Sequence, residues 1–163
     1  MEMIESPQNG NFKLWKSLLD SKGLKKHNLY LLSGRKLVPE ALNSHPSHIE
    51  SYLICESMDH YTENGDFNCY NLSKDLFNQL DIQGTKSPII VGRIPEIAIA
   101  DLTKPPEGME VLIPVGDPQN IGGIIRSATA LGASKIIILA EASHPYHPKA
   151  IKAASGTHLS APL

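Results

Sequence analysis

The sequence predicts an α/β protein built from two parts. Its most regular stretch has an apolar strand at 111–115, a helix at 120–131 and a second apolar strand at 136–139. A strand, helix and strand joined by such short connections predict a right-handed crossover between parallel strands. Ahead of a proline-rich segment at 101–108, shorter strands and helices follow one another in an order typical of a small α/β sandwich.

Hydrophobic periodicity places the elements along the chain. In the first part it predicts a helix around 12–20, strands near 29–32, 51–55 and 88–92, and helices near 35–43 and 73–80. In the second part a short helix near 148–155 follows the two strands. Two prolines and a glycine discourage regular structure in the linker. We therefore predict a first domain over 1–103, a linker over 104–108 and a second domain over 109–163.

The predicted helix at 120–131 carries a pattern for binding an anion. On a helical wheel one arc is apolar and consists of Ile121, Ile124, Ile125, Ala128 and Leu131. Arg126 lies roughly opposite, and Gly122, one turn before it, leaves the guanidinium uncrowded. The N–H groups at a helix N-terminus and a nearby arginine favour a phosphate-type anion. Close packing by Gly122 and a solvated Arg126 are the alternatives.

The run 117–128 strongly resembles the first signature motif of the SpoU/TrmH family, RNA ribose 2′-O-methyltransferases of the knotted α/β SPOUT superfamily. The motif Asn-x-Gly-x-x-x-Arg-x-Ala is met by Asn120, Gly122, Arg126 and Ala128. The stretch 148–156 resembles the family's Pro-Lys-x-x-Arg-x-Ser-x-Gly segment, with Lys152 for the usual arginine and Ala154 for the usual serine. Lysine keeps the charge but lacks the planar fork of arginine.

The first part resembles the small L30e-like domain that precedes many catalytic domains of this family. The similarity rests on the segments 22–26, 34–42, 72–77 and 88–91. Basic residues cluster there although the formal net charge is −2, namely Lys22, Lys25, Lys26, Arg35 and Lys36. A local basic patch can bind phosphates on a molecule that is not basic overall. The resemblance implies an L30e-like domain that contacts RNA, followed by the first part of a SPOUT-type parallel sheet.

The resemblance implies an activity, the transfer of a methyl group from S-adenosylmethionine to a ribose 2′-hydroxyl of rRNA or tRNA. Arg126 would clamp the phosphate and activate the hydroxyl electrostatically, because a guanidinium stays protonated and is a poor general base. Asn120 would cap the helix and brace the loop, or serve as a cap only. Gly122 would keep the substrate side open.

The resemblance also implies supporting residues and sequence beyond this stretch. Ala128 would support the motif helix, and Lys149 and Lys152 would extend the phosphate-binding surface. Two further family motifs, which carry the knot and the S-adenosylmethionine pocket, do not occur in 1–163, so no residue here is assigned to the donor. Because two strands leave sheet faces and edges uncovered, we expect missing sequence, a partner subunit or a swapped copy to complete the sheet. We favour missing sequence and expect 1–163 alone to be inactive.

Two other classes of function stay open: a non-catalytic RNA-binding module of L30e-like type and a Rossmann-like binder of small molecules. Only Cys55 and Cys69 are cysteines, and no signal peptide or membrane-length apolar run occurs, which predicts a cytoplasmic protein. The family implies a homodimer. Histidine pairs at 45–48 and 144–147 each contain a proline and lack Cys-x-x-Cys partners, so no metal is expected.

Overall fold

The computed structural model describes residues 1–55, 58 and 67–163. These residues form two compact units, Met1–Ile94 and Pro95–Leu163. The predicted first domain extends to 103, whereas the first unit ends at Ile94. The difference arises because the segment 97–102 lies beside the second strand of the second unit, where Ile137 is buried. Prolines and polar residues indicate a linker but cannot show on which sheet it rests.

The first unit is built on a five-stranded sheet with the order β1-β4-β3-β5-β2. Its strands are β1 (Glu2–Ile4), β2 (Leu29–Ser33), β3 (Ile49–Cys55), β4 (Asn68–Leu72) and β5 (Ile89–Arg93). Its helices are α1 (Gly10–Ser17), α2 (Ser21–His27), α3 (Leu37–Ser44) and α4 (Lys74–Leu80), with a 3-10 turn at Pro46–His48. β4 pairs in parallel with β1 and β3, whereas β5 runs antiparallel to β3 and β2. Parallel and antiparallel pairs thus coexist in one mixed sheet.

The predicted strands and helices of this unit are present, and three further elements were missed. β1 and β4 are short, and four of the five β4 residues are at least partly exposed. α2 buries only Gly23 and Leu24, so it lacks a wide apolar stripe. Its start is nevertheless marked, since the Asp20 carboxylate accepts a hydrogen bond from the Gly23 N–H at 2.9 Å.

The second unit contains the predicted parallel crossover. Its elements are β6 (Glu110–Ile113), α5 (Pro118–Ala130), β7 (Lys135–Ile138), α6 (Pro148–Ala154) and a 3-10 turn at Thr157–Leu159. β6 and β7 pair in parallel, with Ile113 opposite Ile138. The predicted α/β class is therefore confirmed. No helix in the described ranges is both long and apolar enough to cross a membrane.

The core of the second unit lies between the two strands and the two helices. Its buried members are Ile113, Ile121, Ile125, Ala128, Ala133, Ile136 and Ala150. One residue of the predicted apolar arc is exposed. Leu131, placed on the apolar arc, is 76% exposed because α5 ends at Ala130 and Leu131 is its C-cap. Leu112 is 51% exposed because it points to the opposite sheet face from Ile113.

Candidate nucleic-acid interface

The N-terminus of α5 is closed by its own sequence. The helix begins at Pro118, and the Asp117 carboxylate accepts the N–H of Asn120 at 2.9 Å. The N–H of Ile121 donates to the Asp117 carbonyl, and proline has none. In the described structure this leaves only the Gln119 N–H of that turn without an acceptor. The predicted anion site at this helix end is therefore wrong, because a carboxylate already occupies it.

Asn120 does not have the capping role that the sequence suggested. It is the third residue of α5, and Asp117 is the cap. The Asn120 side chain is exposed and lies in a groove with Arg126. The structure therefore brings the two predicted catalytic residues to one surface, with the asparagine amide open to a ligand rather than engaged in the helix cap.

Arg126 is exposed near the middle of α5. Within the described ranges the ion pairs are Arg93–Glu50, Lys104–Asp101 and Lys135–Glu110, and none involves Arg126. No hydrogen bond to another described residue holds its guanidinium either. Since α5 itself contains no acidic residue, this cation has no local counter-charge and is available to an external anion.

The two glycines of α5 have opposite surroundings. A Cβ on Gly122 would lie 2.8 Å from the Ala153 Cβ and closer still to the Ala150 carbonyl oxygen, both on α6. A Cβ on Gly123 would meet nothing within 4 Å. The prediction that Gly122 keeps the substrate side open is wrong, because that face of α5 is filled by α6. Gly123, by contrast, opens to the exterior.

A groove of about 630 Å³ runs along the open side of α5, beside β6. Its polar lining comes from Gln119, Asn120, Arg126 and Ser127, and its apolar lining includes Met109, Val111, Val115 and Ile124. Gly123 forms part of its floor. No carboxylate lines the groove, so its electrostatic character is set by the arginine. The groove is therefore suited to an anionic ligand with an apolar portion.

The predicted lysines of the second unit lie on the helix that touches α5. Lys149 and Lys152 are both exposed on α6. Ala150 of α6 sits against Gly122, and Arg126 follows Gly122 by one helical turn. Ala128, the other supporting residue, is buried in the core below. The contact at Gly122 thus holds the helix that bears Arg126 next to the helix that bears the lysines.

The basic residues of the first unit do not form one compact cluster. All five are exposed. Lys25 and Lys26 precede β2, whereas Arg35 and Lys36 follow it, and five residues of strand separate the pairs. At about 3.3 Å per residue, β2 is about 13 Å long, so the pairs lie at opposite ends of the strand. Lys22 lies in the first turn of α2. The single patch expected from sequence spacing is divided.

Metal ligands are not gathered in the ranges 1–55 and 67–163. No group of three or more histidine, cysteine, aspartate or glutamate side chains there could hold a metal ion. The histidine pair at 45–48 has its rings 6.0 Å apart. In the pair at 144–147, both Nδ1 atoms accept backbone N–H groups. The imidazoles of that second pair therefore serve local backbone structure.

The fold and site together define a class: an α/β protein whose parallel crossover presents an arginine, without a counter-charge in the described residues, beside an open groove. Residues 110–163 match the SpoU rRNA Methylase family. The chain is 36% identical over 159 residues to ribosomal RNA small subunit methyltransferase G 2 of Syntrophobacter fumaroxidans, covering 96% of the chain and 32% of that relative. It is 31% identical over 166 residues to 23S rRNA (guanosine(2553)-2′-O)-methyltransferase RlmP of Bacillus subtilis, covering 100% of the chain and 64% of that relative.

A solved structure has the same fold. The SpoU methyltransferase AviRb from Streptomyces viridochromogenes, crystallised with the cofactor AdoMet, aligns with a TM-score of 0.76 at 22% identity, covering 95% of this chain and 62% of that one. The chain thus spans between about a third and two thirds of the length of the proteins it matches. The match of residues 110–163 to the SpoU rRNA Methylase family agrees with the resemblance found in the sequence.

Proposed function

We propose that this chain is part of an rRNA 2′-O-methyltransferase that uses S-adenosylmethionine, and that it supplies the side of the site that holds the RNA phosphate. The observation that carries the proposal is Arg126, an exposed arginine without a partner among the described residues, beside a groove free of carboxylates. Relatives support the reaction type, since two that match the chain are named as 23S rRNA 2′-O-methyltransferases.

A ribose 2′-hydroxyl is a weak nucleophile, so positioning and electrostatics must lower the barrier to its methylation. The Arg126 guanidinium is the group suited to clamp an adjacent phosphate through two hydrogen bonds. Its fixed positive charge also stabilises the negative charge that develops on the attacking oxygen. The Asn120 side chain, in the same groove, can donate or accept a hydrogen bond to the ribose.

The methyl donor is not assigned to these residues. When bound, S-adenosylmethionine supplies an electrophilic methyl group. Its ammonium and ribose hydroxyls favour carboxylate and carbonyl partners, and the groove beside Arg126 has no carboxylate in its lining. This groove therefore lacks the carboxylate partner that the ammonium group of the donor prefers. We propose that the donor binds elsewhere in the whole enzyme, and the roles given to Arg126 and Asn120 concern the RNA alone.

For the first unit we propose an L30e-like fold that contacts RNA through Lys22, Lys25, Lys26, Arg35 and Lys36. The exposure of all five supports this role, and their division between the two ends of β2 suits two separate phosphates. In the second unit Lys149 and Lys152 would extend the surface around Arg126. If methyl transfer requires more than this chain, RNA binding is the activity that it retains.

We further propose that the whole enzyme acts in the cytoplasm as a homodimer and without a metal. The outer edge of β6 is an argument for the homodimer, because no strand in the described structure pairs with it and a second chain could cover it. Near that edge Met109 is 41% exposed and Leu112 is 51% exposed. Exposed apolar residues beside an open strand edge favour association with further protein.

Binding of the chain to ribosomal RNA fragments at several salt concentrations tests the role of Arg126. Each phosphate contact contributes a slope of about −0.7 to −0.9 in a plot of log affinity against log salt. Arg126→Ala should weaken binding and reduce the slope by about one contact. Lys104→Ala is the matched control, because Lys104 is an exposed cation of the same unit outside the groove. Equal effects of the two variants would remove Arg126 from the RNA interface.

A further inference from the structure

The loop before α6 uses two histidines as hydrogen-bond acceptors. The Lys149 N–H donates to Nδ1 of His147, which is the N-cap of α6, at 3.2 Å. The Tyr146 N–H donates to Nδ1 of His144 at 3.1 Å. A ring nitrogen can accept a hydrogen bond only while it is unprotonated. Both interactions therefore require the neutral form of the imidazole.

A third histidine packs against Tyr146, which lies in this loop. His158, in the 3-10 turn after α6, is 1% exposed. Its ring meets the Tyr146 ring edge-on at 5.3 Å, and Tyr146 in turn lies 6.2 Å from the ring of His144. The turn that carries His158 contacts both α5 and α6. Burial lowers the pKa of His158 to about 4.

We propose that α6 is held by an acid-sensitive histidine clamp, formed by His144, His147 and His158, which holds only while all three imidazoles are neutral. Protonation of His147 would remove the cap and place a positive charge at the N-terminus of α6, where the helix dipole is unfavourable to cations. Protonation of His144 would break the loop hydrogen bond that orients Tyr146.

Charged residues of both signs lie on the segments around the clamp. The turn that carries His158 contacts α5, which carries Arg126 and is capped by Asp117, and α6, which carries Lys149 and Lys152. Lys135 of β7 and Glu141 in the loop before the clamp are the other charged residues of these neighbouring segments. Glu110 already engages Lys135 at 2.7 Å. A new imidazolium at His147 would add positive charge to the N-terminus of a helix that already carries two lysines. Acidification should release α6 first, before the sheet core is disturbed.

Hydrogen exchange of the chain, corrected for the intrinsic pH dependence of exchange, tests the clamp between about pH 7.5 and about pH 5.5. A helix cap of ordinary strength corresponds to about a fivefold change in the opening equilibrium. We expect α6 amides to lose at least about fivefold more protection than the β6 and β7 amides at the lower pH. His147→Asn should reduce this loss, because asparagine caps helices without titrating in this range and only the contributions of His144 and His158 remain. The matched control, His48→Asn in the first unit, should leave it unchanged.

Constant protection of α6 in the wild-type chain would overturn the clamp, and so would an undiminished loss in His147→Asn. A measurement on the wild type avoids dependence on the folding of a variant. Ring nitrogen chemical shifts of His147 at neutral pH report which nitrogen carries the proton. The clamp requires an unprotonated Nδ1, and a protonated Nδ1 would refute it. Neither experiment involves RNA, so its outcome is independent of the proposed function.

Discussion

The contact between α5 and α6 can be tested by adding one methyl group to either of two adjacent glycines. Gly122→Ala would place a Cβ 2.8 Å from the Ala153 Cβ, whereas ordinary contact begins at 3.4 Å. The helices must then separate by at least the 0.6 Å difference, and by more to clear the Ala150 carbonyl. Gly123→Ala adds the same methyl group with nothing within 4 Å. The two variants therefore differ in packing alone.

The expected difference in stability between the two variants follows from comparing them with each other. Alanine is better than glycine in a helix by about 1 kcal/mol, and both variants gain this amount. Overpacking a tight contact costs about 1–3 kcal/mol, which only Gly122→Ala incurs. Gly123→Ala should therefore be the more stable variant by about 1–3 kcal/mol. Because glycine at Gly123 serves only the groove, its alanine variant should equal or exceed the wild type in stability.

The assay must report on the second unit alone. Trp15 is the only tryptophan and lies in the first unit, so its fluorescence does not report the unfolding of the second unit. Urea denaturation followed by the methyl NMR signals of Ile121 and Ile125, both fully buried in the second core, gives the free energy of unfolding directly. Equal stability of the two variants would refute the close approach of α5 and α6 at Gly122.

Three further outcomes are expected. Burial lowers the pKa of His158 in the folded protein to about 4 from 6.5, so the unfolded chain takes up the proton more readily. The contribution of neutral His158 to the stability of the second unit is therefore fully present above about pH 6.5. About 3 kcal/mol of the free energy of unfolding is lost as the pH falls to about 4. Urea titrations across this range should show that loss, and His158→Leu should reduce it. Gly92→Ala should destabilise the first unit by about 1–3 kcal/mol, seen by Trp15 fluorescence, because the new Cβ would lie 2.6 Å from the Tyr30 ring. Asp117→Ala should cost the second unit about 1 kcal/mol through loss of the α5 cap, measured by the same methyl signals, and Asp117→Asn should retain most of the cap.

Hydrophobic periodicity is sufficient to predict the helices and strands that have wide apolar faces. The strand at 136–139 and the helix around 120–131 were predicted from such faces, and the parallel pairing followed from the short connections between them. The elements that were missed, β1, β4 and α2, are short and partly polar. The place of β1 and β4 in the sheet is set by long-range pairing, as between Met3 and Asn71, which a local pattern does not contain.

The helix start could have been predicted correctly. Asp117 followed by Pro118 is the usual order of N-cap and first helical residue, and this signal points to a helix that begins before Asn120. The roles of the two glycines could not be read in the same way. Gly122 and Gly123 differ by only 100° around the helix, and which of them meets α6 depends on where a later helix packs.

The arrangement around α5 explains why Arg126 is suited to a ligand that the protein does not itself provide. One side of the helix is buried on the sheet through Ile121 and Ile125, a second is closed by α6 at Gly122, and a third opens into the groove at Gly123. Arg126 lies at the boundary between the closed and the open sides. A cation at that boundary is too exposed to be a core residue and has no counter-charge on α5 or α6. Its charge can therefore act on the groove and, together with the lysines of α6, on an anion that approaches from solvent.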